Sequence, residues 1–157
     1  MTDVVARLGG ILLGSRMKRL AERLQGDAAR IIEDTGLGIQ PSQVPLLTAL
    51  DDGDMTVGQL ADAVGSSQPG VTRAIGQLAE LGLVEARSGA DLRQRLLSLT
   101  PAGKSAMARV KLQVWPGIGR AVDEMCEGHT AELLQHIARI EMALSESSMV
   151  ERHARLG

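Results

Sequence analysis

The stretch MTVGQLADAVGSSQPGVTRAIGQLAELGLVEARSGADLRQRLLSLTPAG, Met55 to Gly103, decides how the rest of the chain reads. Thr56 and Gln59 stand at capping-box spacing, so hydroxyl and amide satisfy the orphan N–H groups of a new helix. That helix keeps Leu60, Ala61 and Val64 on one face and ends at Gly65. Ser66 and Ser67 are both candidate caps for a second helix, and Pro69 falls in its first turn, where a missing N–H costs nothing. Val71, Ala74, Ile75, Leu78 and Leu81 then recur at helical spacing as an apolar stripe. Gln68, Gly70, Arg73 and Gln77 fall on the outward side, with Thr72 at its edge. Two helices across so short a turn, the second with a polar outer face, suit the major groove of DNA.

The second helix ends at Gly82, and LVEAR reads as a short strand with Leu83 and Val84 at its apolar start. SGAD is turn material, RLLSLT returns as a second strand, and Pro101 opens another helix. The hairpin carries Arg87, Arg93 and Arg95, and a basic hairpin beside a helix-turn-helix is a winged helix whose arginines reach a minor groove or phosphates. On these residues the sequence resembles the MarR family of bacterial transcription regulators. The resemblance is carried by VTR (Val71 to Arg73), GLVE (Gly82 to Glu85), and Asp91-x-Arg93 followed seven residues later by Thr100-x-x-Gly103. It is strong over roughly residues 40 to 110 and architectural outside them. It implies a homodimeric winged-helix repressor or activator, relieved by a small, often phenolic, ligand or by cysteine oxidation. It also implies that Asp91 orients the wing arginine Arg93 into the minor groove. The wing departs from the commoner pattern: it is one residue shorter, lacks the usual proline, and has Ala86 where an arginine often follows GLVE.

Composition sets the outer bounds. A chain of 157 residues is one domain's worth and can bury a real core. With one Trp and no Phe or Tyr, aliphatic side chains and Met must fill that core, and base stacking on single strands is excluded as a binding mode. The net charge of −2 hides an asymmetry. Residues 66 to 111 hold seven basic side chains (Arg73, Arg87, Arg93, Arg95, Lys104, Arg109, Lys111) against Glu80, Glu85 and Asp91, so the rest of the chain is acidic. From Glu33 to Asp62 there are six acids and no base, so that portion is expected to point away from DNA or to supply an N-terminal helix cap or two. A single cysteine excludes an internal disulfide framework and fits a reducing, cytoplasmic setting. No run of about 18 apolar residues and no secretory leader is expected.

Outside the central stretch the chain reads as helices. Residues 3 to about 33 are mostly helical, with Gly9, Gly10 and Gly14 either interrupting the segment or allowing a close crossing. GLGIQP (36–41) is a loop, and Pro41 and Ser42 start a helix carrying Val44, Leu46, Leu47 and Leu50, before the turn DDGD (51–54). A long helix from Pro101 to about Glu124 has Ala106, Val110, Val114, Ile118 and Ala121 inside and a kink near Leu112 to Pro116. Glu127-Gly128 breaks it, residues 130–146 form a last amphipathic helix, and the polar tail from Ser145 reads as frayed. The fold expected is mainly α: one domain, 1–157, with a winged helix-turn-helix lobe at about 40–103 and a small β-hairpin wing. The N- and C-terminal helices, about 3–35 and 101–146, are expected to form a dimerisation lobe.

The residues expected to meet double-stranded DNA are Ser67, Gln68, Gly70, Thr72, Arg73 and Gln77 on the reading helix, and Arg87, Asp91, Arg93 and Arg95 on the wing. Gln pairs with adenine and Arg with guanine, while Ser and Thr serve phosphates. Met17, Leu20, Leu47, Val110 and Trp115 are candidates to line an effector pocket, and each fits ordinary core equally well. No cofactor is expected and no enzyme: in AGKS the first glycine of a phosphate loop is replaced by Ser98. Two rival readings stand beside a DNA-binding regulator. One is a winged helix used only for protein contact. The other is a metal or redox sensor built on Cys126, His129, Glu132 and His136, whose alignment Gly128 interrupts. For the wing, Arg93→Ala is expected to weaken binding to most DNA sequences and to flatten the salt dependence of affinity. Unchanged affinity and slope in a fluorescence titration across salt would remove the wing from this reading.

Overall fold

A computed structural model describes residues 3–88 and 95–157. The chain divides into two compact units, Met1–Val114 and Trp115–Gly157. The first opens with α1 (Val4–Arg7), a 3-10 turn at Gly9–Leu12 and the long α2 (Leu13–Glu33), so the glycines interrupt the N-terminal helix. Asp3 holds this corner together, because its carboxylate accepts from the Val5 and Ala6 N–H groups and from both terminal nitrogens of Arg19. Those partners hold the Asp3 carboxyl below its ordinary pKa, the Arg19 hydrogen bonds being the largest cause. A 3-10 turn at Pro41–Gln43 leads into α3 (Val44–Asp52), with Pro45 tolerated in the first turn.

The centre of the unit follows the quoted stretch closely. α4 (Val57–Val64) is boxed by Thr56 and Gln59, whose reciprocal bonds measure 2.9 and 3.2 Å. It ends at Gly65, whose φ of 63° is the left-handed cap that a residue with a Cβ resists. α5 (Gln68–Glu80) follows directly, with the Ser67 hydroxyl accepting from the Gly70 N–H. β1 (Val84–Ser88) pairs antiparallel with β2 (Arg95–Leu99), Val84 facing Leu99 and Ser88 facing Arg95. Met55 bridges Leu97 through a pair of backbone bonds of 3.1 and 2.8 Å, adding a third short edge that the sequence pattern did not announce.

Among the described residues the largest fully buried side chains are Leu47, Leu60, Leu78, Val71, Met107, Val110 and Ile32, drawn from α2, α3, α4, α5 and the helix after β2. The core is therefore aliphatic, with Met107 as the adaptable filler that suits a composition with one Trp and no Phe or Tyr. Of the stripe expected on α5, Val71, Ile75 and Leu78 are buried and Ala74 half-buried, but Leu81 is exposed. Leu81 lies past the helix end, where the chain turns through Gly82.

The junction between wing and following helix is the tightest contact in the unit. Thr100 caps α6 (Pro101–Arg109): its hydroxyl accepts from the Gly103 N–H at 3.0 Å and donates to the Gly82 carbonyl at 2.6 Å. Its backbone N–H donates to the Leu83 carbonyl at 3.0 Å. Gly103 then lies so close to β1 that a Cβ there would stand 2.0 Å from the Leu83 carbonyl oxygen and 3.3 Å from the Leu99 side chain. The Thr100-x-x-Gly103 spacing is thus a cap plus a clearance.

After α6 the helix widens into a π turn at Val110–Val114 before α7 (Trp115–Met125). The disturbance expected from Pro116 takes this form: without an N–H to donate to the previous turn, the helix relaxes its register just ahead of the proline. In the second unit, α7 stops at Glu127 and Gly128, whose φ values are 52° and 80°. α8 spans Thr130–Glu146. The expectation of a frayed tail fails. Met149–Leu156 form α9, started by a Ser148–Glu151 capping box, and Arg152 donates back to the Ala143 and Ser147 carbonyls. The Ser148-x-x-Glu151 spacing is local and starts a helix although the segment is polar. Gly103→Ala is expected to destabilise the protein by about 1–3 kcal/mol or more, because the obstruction is backbone rather than a side chain that can swing away. A thermal melt unchanged from wild type would contradict the close approach.

Candidate nucleic-acid interface

Ser67, Gln68, Gly70, Thr72, Arg73 and Gln77 are all exposed on α5, as their spacing predicts, but they are not equivalent. Arg73 is open to solvent at mid-helix, opposite the buried Val71, Ile75 and Leu78, and among the described residues no acceptor is bonded to it. A guanidinium so placed offers a fork of donors suited to guanine or to phosphate. Thr72 donates its hydroxyl proton to the Gln68 carbonyl at 2.9 Å, so it presents a methyl and acceptor lone pairs rather than a donor for phosphate. The Gln68 amide lies over Gly58 of α4, where a Cβ would come within 3.5 Å of Nε2. Gly70 has a structural reason of its own, since a Cβ there would meet the Ser67 hydroxyl at 3.2 Å and crowd the cap. It also forms, with Ser42, Pro45, Val64, Ser66 and Ser67, the wall of a cleft of about 330 Å3 beside the start of α5.

Gln77 is bound to its own protein. Its Oε1 accepts from Nε2 of Gln43 at 2.9 Å, while Oε1 of Gln43 accepts from the Gln40 N–H at 2.8 Å. Gln43 is 3% exposed and was missed by the sequence reading, although Gln40-x-x-Gln43 has capping-box spacing with an amide in place of a hydroxyl.

The basic residues divide as well. Arg87 donates through Nε to Glu85, two residues along the same strand face, at 2.8 Å, and through Nη2 to the same carboxylate oxygen. Glu85 raises the Arg87 pKa, first by hydrogen bonding and then by charge, and Asp54 adds a smaller push. Arg95 is exposed on β2. Asp91 and Arg93 lie outside the described residues. Arg109 donates to the Thr35 carbonyl at 2.8 Å, and Lys111 pairs with Asp51 at 2.5 Å, which raises the Lys111 pKa. These two cations brace α2 and α3, so the basic segment overstates the charge available to a polyanion. Among the described residues, Arg73, Arg95 and the exposed Lys104 remain.

The pocket candidates differ in burial and fall in both units. Leu47 and Val110 are wholly buried core, Met17 and Leu20 are exposed on α2, and Trp115 begins the second unit. Among the described residues no three His, Cys, Asp or Glu side chains are grouped to hold a metal. His129 instead faces Glu132 at 3.3 Å, and Cys126 is a half-buried free thiol. No helix among the described residues is long and apolar enough to cross a membrane.

A capped helix-turn-helix with a solvent-facing second helix, followed by a two-stranded hairpin packed against the next helix, is a winged helix-turn-helix lobe. Residues 37–94 match the family model of the MarR family. The fold agrees with the transcriptional repressor CouR bound to a 23-mer DNA duplex, with a TM-score of 0.77 at 24% identity over 90% of this chain and 99% of that one. It agrees also with the M. tuberculosis transcriptional regulator MosR in complex with DNA, with a TM-score of 0.74 at 23% identity over 85% of this chain and 96% of that one. The S. aureus MepR–DNA complex gives 0.69 at 18% identity, over 86% and 98% of the two chains. No curated protein sequence matches. The sequence match over residues 37–94 and the shared fold liken the chain to MarR-family transcription regulators. Replacing Glu85 by Gln is expected to release Arg87 and steepen the salt slope of binding to random-sequence duplex by about one phosphate's worth. An unaltered slope in anisotropy titrations over a salt series would show that Arg87 does not reach the backbone.

Proposed function

We propose that the protein is a cytoplasmic, homodimeric transcription regulator that binds a pseudo-palindromic operator and acts as a ligand-responsive repressor. The observation that carries DNA binding is the placement of Arg73 and Gln68 on a capped helix whose opposite face is locked into the core. In that reading Ser67, Gln68, Thr72, Arg73 and Gln77 meet the major groove, and Arg87, Arg93 and Arg95 meet the flanking backbone or minor groove, with Asp91 orienting Arg93. A dimer sets two such helices about 34–36 Å apart, one turn of duplex.

The dimer is supported by surface left uncovered in a single chain. On α2 the stripe Leu13, Met17, Leu20, Leu24 and Ile31 is about 40% exposed at each position, and Ile32 is the helix's one buried residue. α7, α8 and α9 bury no side chain, although Leu133, Ile140 and Leu144 recur along one side of α8. Apolar surface of this extent calls for a partner, and helices without a core of their own do not fold alone. A structure of CouR holds p-coumaroyl-CoA, and a small-molecule effector is proposed for this chain by analogy with that neighbour. It would act by preferring a dimer whose reading helices are wrongly spaced.

The test is fluorescence anisotropy of the full chain on intergenic DNA beside its own gene and on scrambled duplex, with sedimentation equilibrium alongside. Tight, sequence-dependent, salt-steep binding by a dimer is expected. Leu20→Glu with Leu24→Glu is expected to give monomers whose affinity falls to that for scrambled DNA. Equal weak binding to both duplexes by the wild type would move the protein to the contact-module reading, and a wild-type monomer at micromolar concentration would remove the dimer.

A further inference from the structure

We propose that Gln43 is a positioning residue that fixes the polarity of Gln77, so that Gln77 meets DNA as a hydrogen-bond donor. The inference rests on the reading that α5 enters the duplex. It begins at a group whose polarity cannot change. The backbone N–H of Gln40 can only donate, and it donates to Oε1 of Gln43 at 2.8 Å. With its oxygen held there, the buried Gln43 side chain must turn its Nε2 toward α5, where it donates to Oε1 of Gln77 at 2.9 Å. The Gln77 oxygen is thereby engaged, and its NH2 group is left for the solvent side of an exposed residue. Reversing the Gln77 amide would set NH2 against NH2 and leave the buried Gln43 donor unpaired.

The consequence is chemical. A free glutamine pairs with adenine by accepting from N6 and donating to N7. The Gln77 oxygen has a second lone pair, but with the oxygen turned toward the buried Gln43 it is the NH2 group that faces an incoming base, so the first of these bonds is disfavoured. Gln77 retains two N–H donors, which suit an acceptor-only surface: the N7 and O6 edge of guanine, or a phosphate oxygen. The same 3-10 turn that starts α3 therefore takes part in what α5 can read, through a side chain that never leaves the protein.

The experiment uses the full-length protein and the duplex it selects from a randomised library. Anisotropy affinities are measured for wild type, Gln77→Ala, Gln43→Met and the double variant. Gln77→Ala is expected to weaken binding by about three- to tenfold, the range of one hydrogen bond. Confinement of the loss to one base pair per half-site places the acceptor on guanine, and a uniform loss places it on phosphate. Gln43→Met, close in volume, frees the Gln77 amide to rotate. It is expected to weaken binding in the wild-type background and to have no further effect once Gln77 is Ala. If guanine is the acceptor, reselection with Gln43→Met also admits adenine at that base pair.

An equal loss from Gln43→Met in both backgrounds would show a merely structural role and overturn the relay. An unchanged affinity for Gln77→Ala would overturn it by removing the contact. Failure of the wild type to select any duplex would instead overturn the reading of α5. Should Gln43→Met melt early, Gln43→Glu keeps the shape. Its carboxylate accepts from both Gln40 and Gln77 and turns the Gln77 oxygen outward. The loss expected exceeds that of Gln77→Ala after subtraction of the effect of Gln43→Glu in the Gln77→Ala background. A smaller loss would sink the polarity argument.

Discussion

The contact on which the winged-helix lobe depends is the seating of Gly103 against the Leu83 carbonyl, where a Cβ would stand 2.0 Å from the oxygen. That approach is possible only for glycine, and it is held by Thr100, which ties the Gly82 carbonyl, the Leu83 carbonyl and the Gly103 N–H into one node. Gly82 and Leu83 are also where α5 gives way to β1. The node therefore sets three directions at once: the exit of the reading helix, the entry of the wing, and the start of α6. Leu83, Val84, Leu97 and Leu99 are buried around it, so hydrophobic burial and backbone bonding reinforce the same geometry.

Charge is distributed by a different logic than a count along the chain suggests. Segment by segment, residues 66 to 111 are strongly basic. In space, Arg109 and Lys111 are absorbed by the Thr35 carbonyl and by Asp51, and Arg87 by Glu85. Exposed pairs of this kind contribute modestly to stability but remove a cation from competition for phosphate. What remains open, Arg73 foremost, is placed on the helix whose other face is best anchored. On the proposed reading, discrimination rests on a few well-held donors rather than on a broad positive field.

Local signals made the centre of the fold legible. The Thr56–Gln59 box, the Gly65 stop, Ser67 as cap and the two strands are dictated by neighbours a few residues apart, and each falls within a residue of its reading. Long-range pairings were not legible: Met55 with Leu97, Gln43 with Gln77, and Arg109 with Thr35 join residues 34 to 74 positions apart or cross between elements with no local mark. Gln77 shows the limit best. Its outward phase on α5 was readable, whereas the engagement of its oxygen depended on a residue on another element. The missed α9 is a different case, since Ser148-x-x-Glu151 is as local as Thr56-x-x-Gln59, and a short polar helix offered no apolar stripe to support the box.

The reading helix is also the least adjustable part of the lobe. It is capped at Ser67, anchored by Val71, Ile75 and Leu78, braced at its far end through Gln43, and followed by the Gly103 node. Packed elements of this kind move as bodies rather than bend. A signal that alters DNA affinity therefore has little purchase on the shape of α5. The elements with surface still to bury are α2 and the helices after Val114, where apolar side chains stand exposed in a single chain. In the proposed dimer, whatever covers those faces fixes where each rigid reader stands. On that reading regulation is a matter of spacing between two unchanging helices, and the free energy that shifts it must be differential contact at the covering surface.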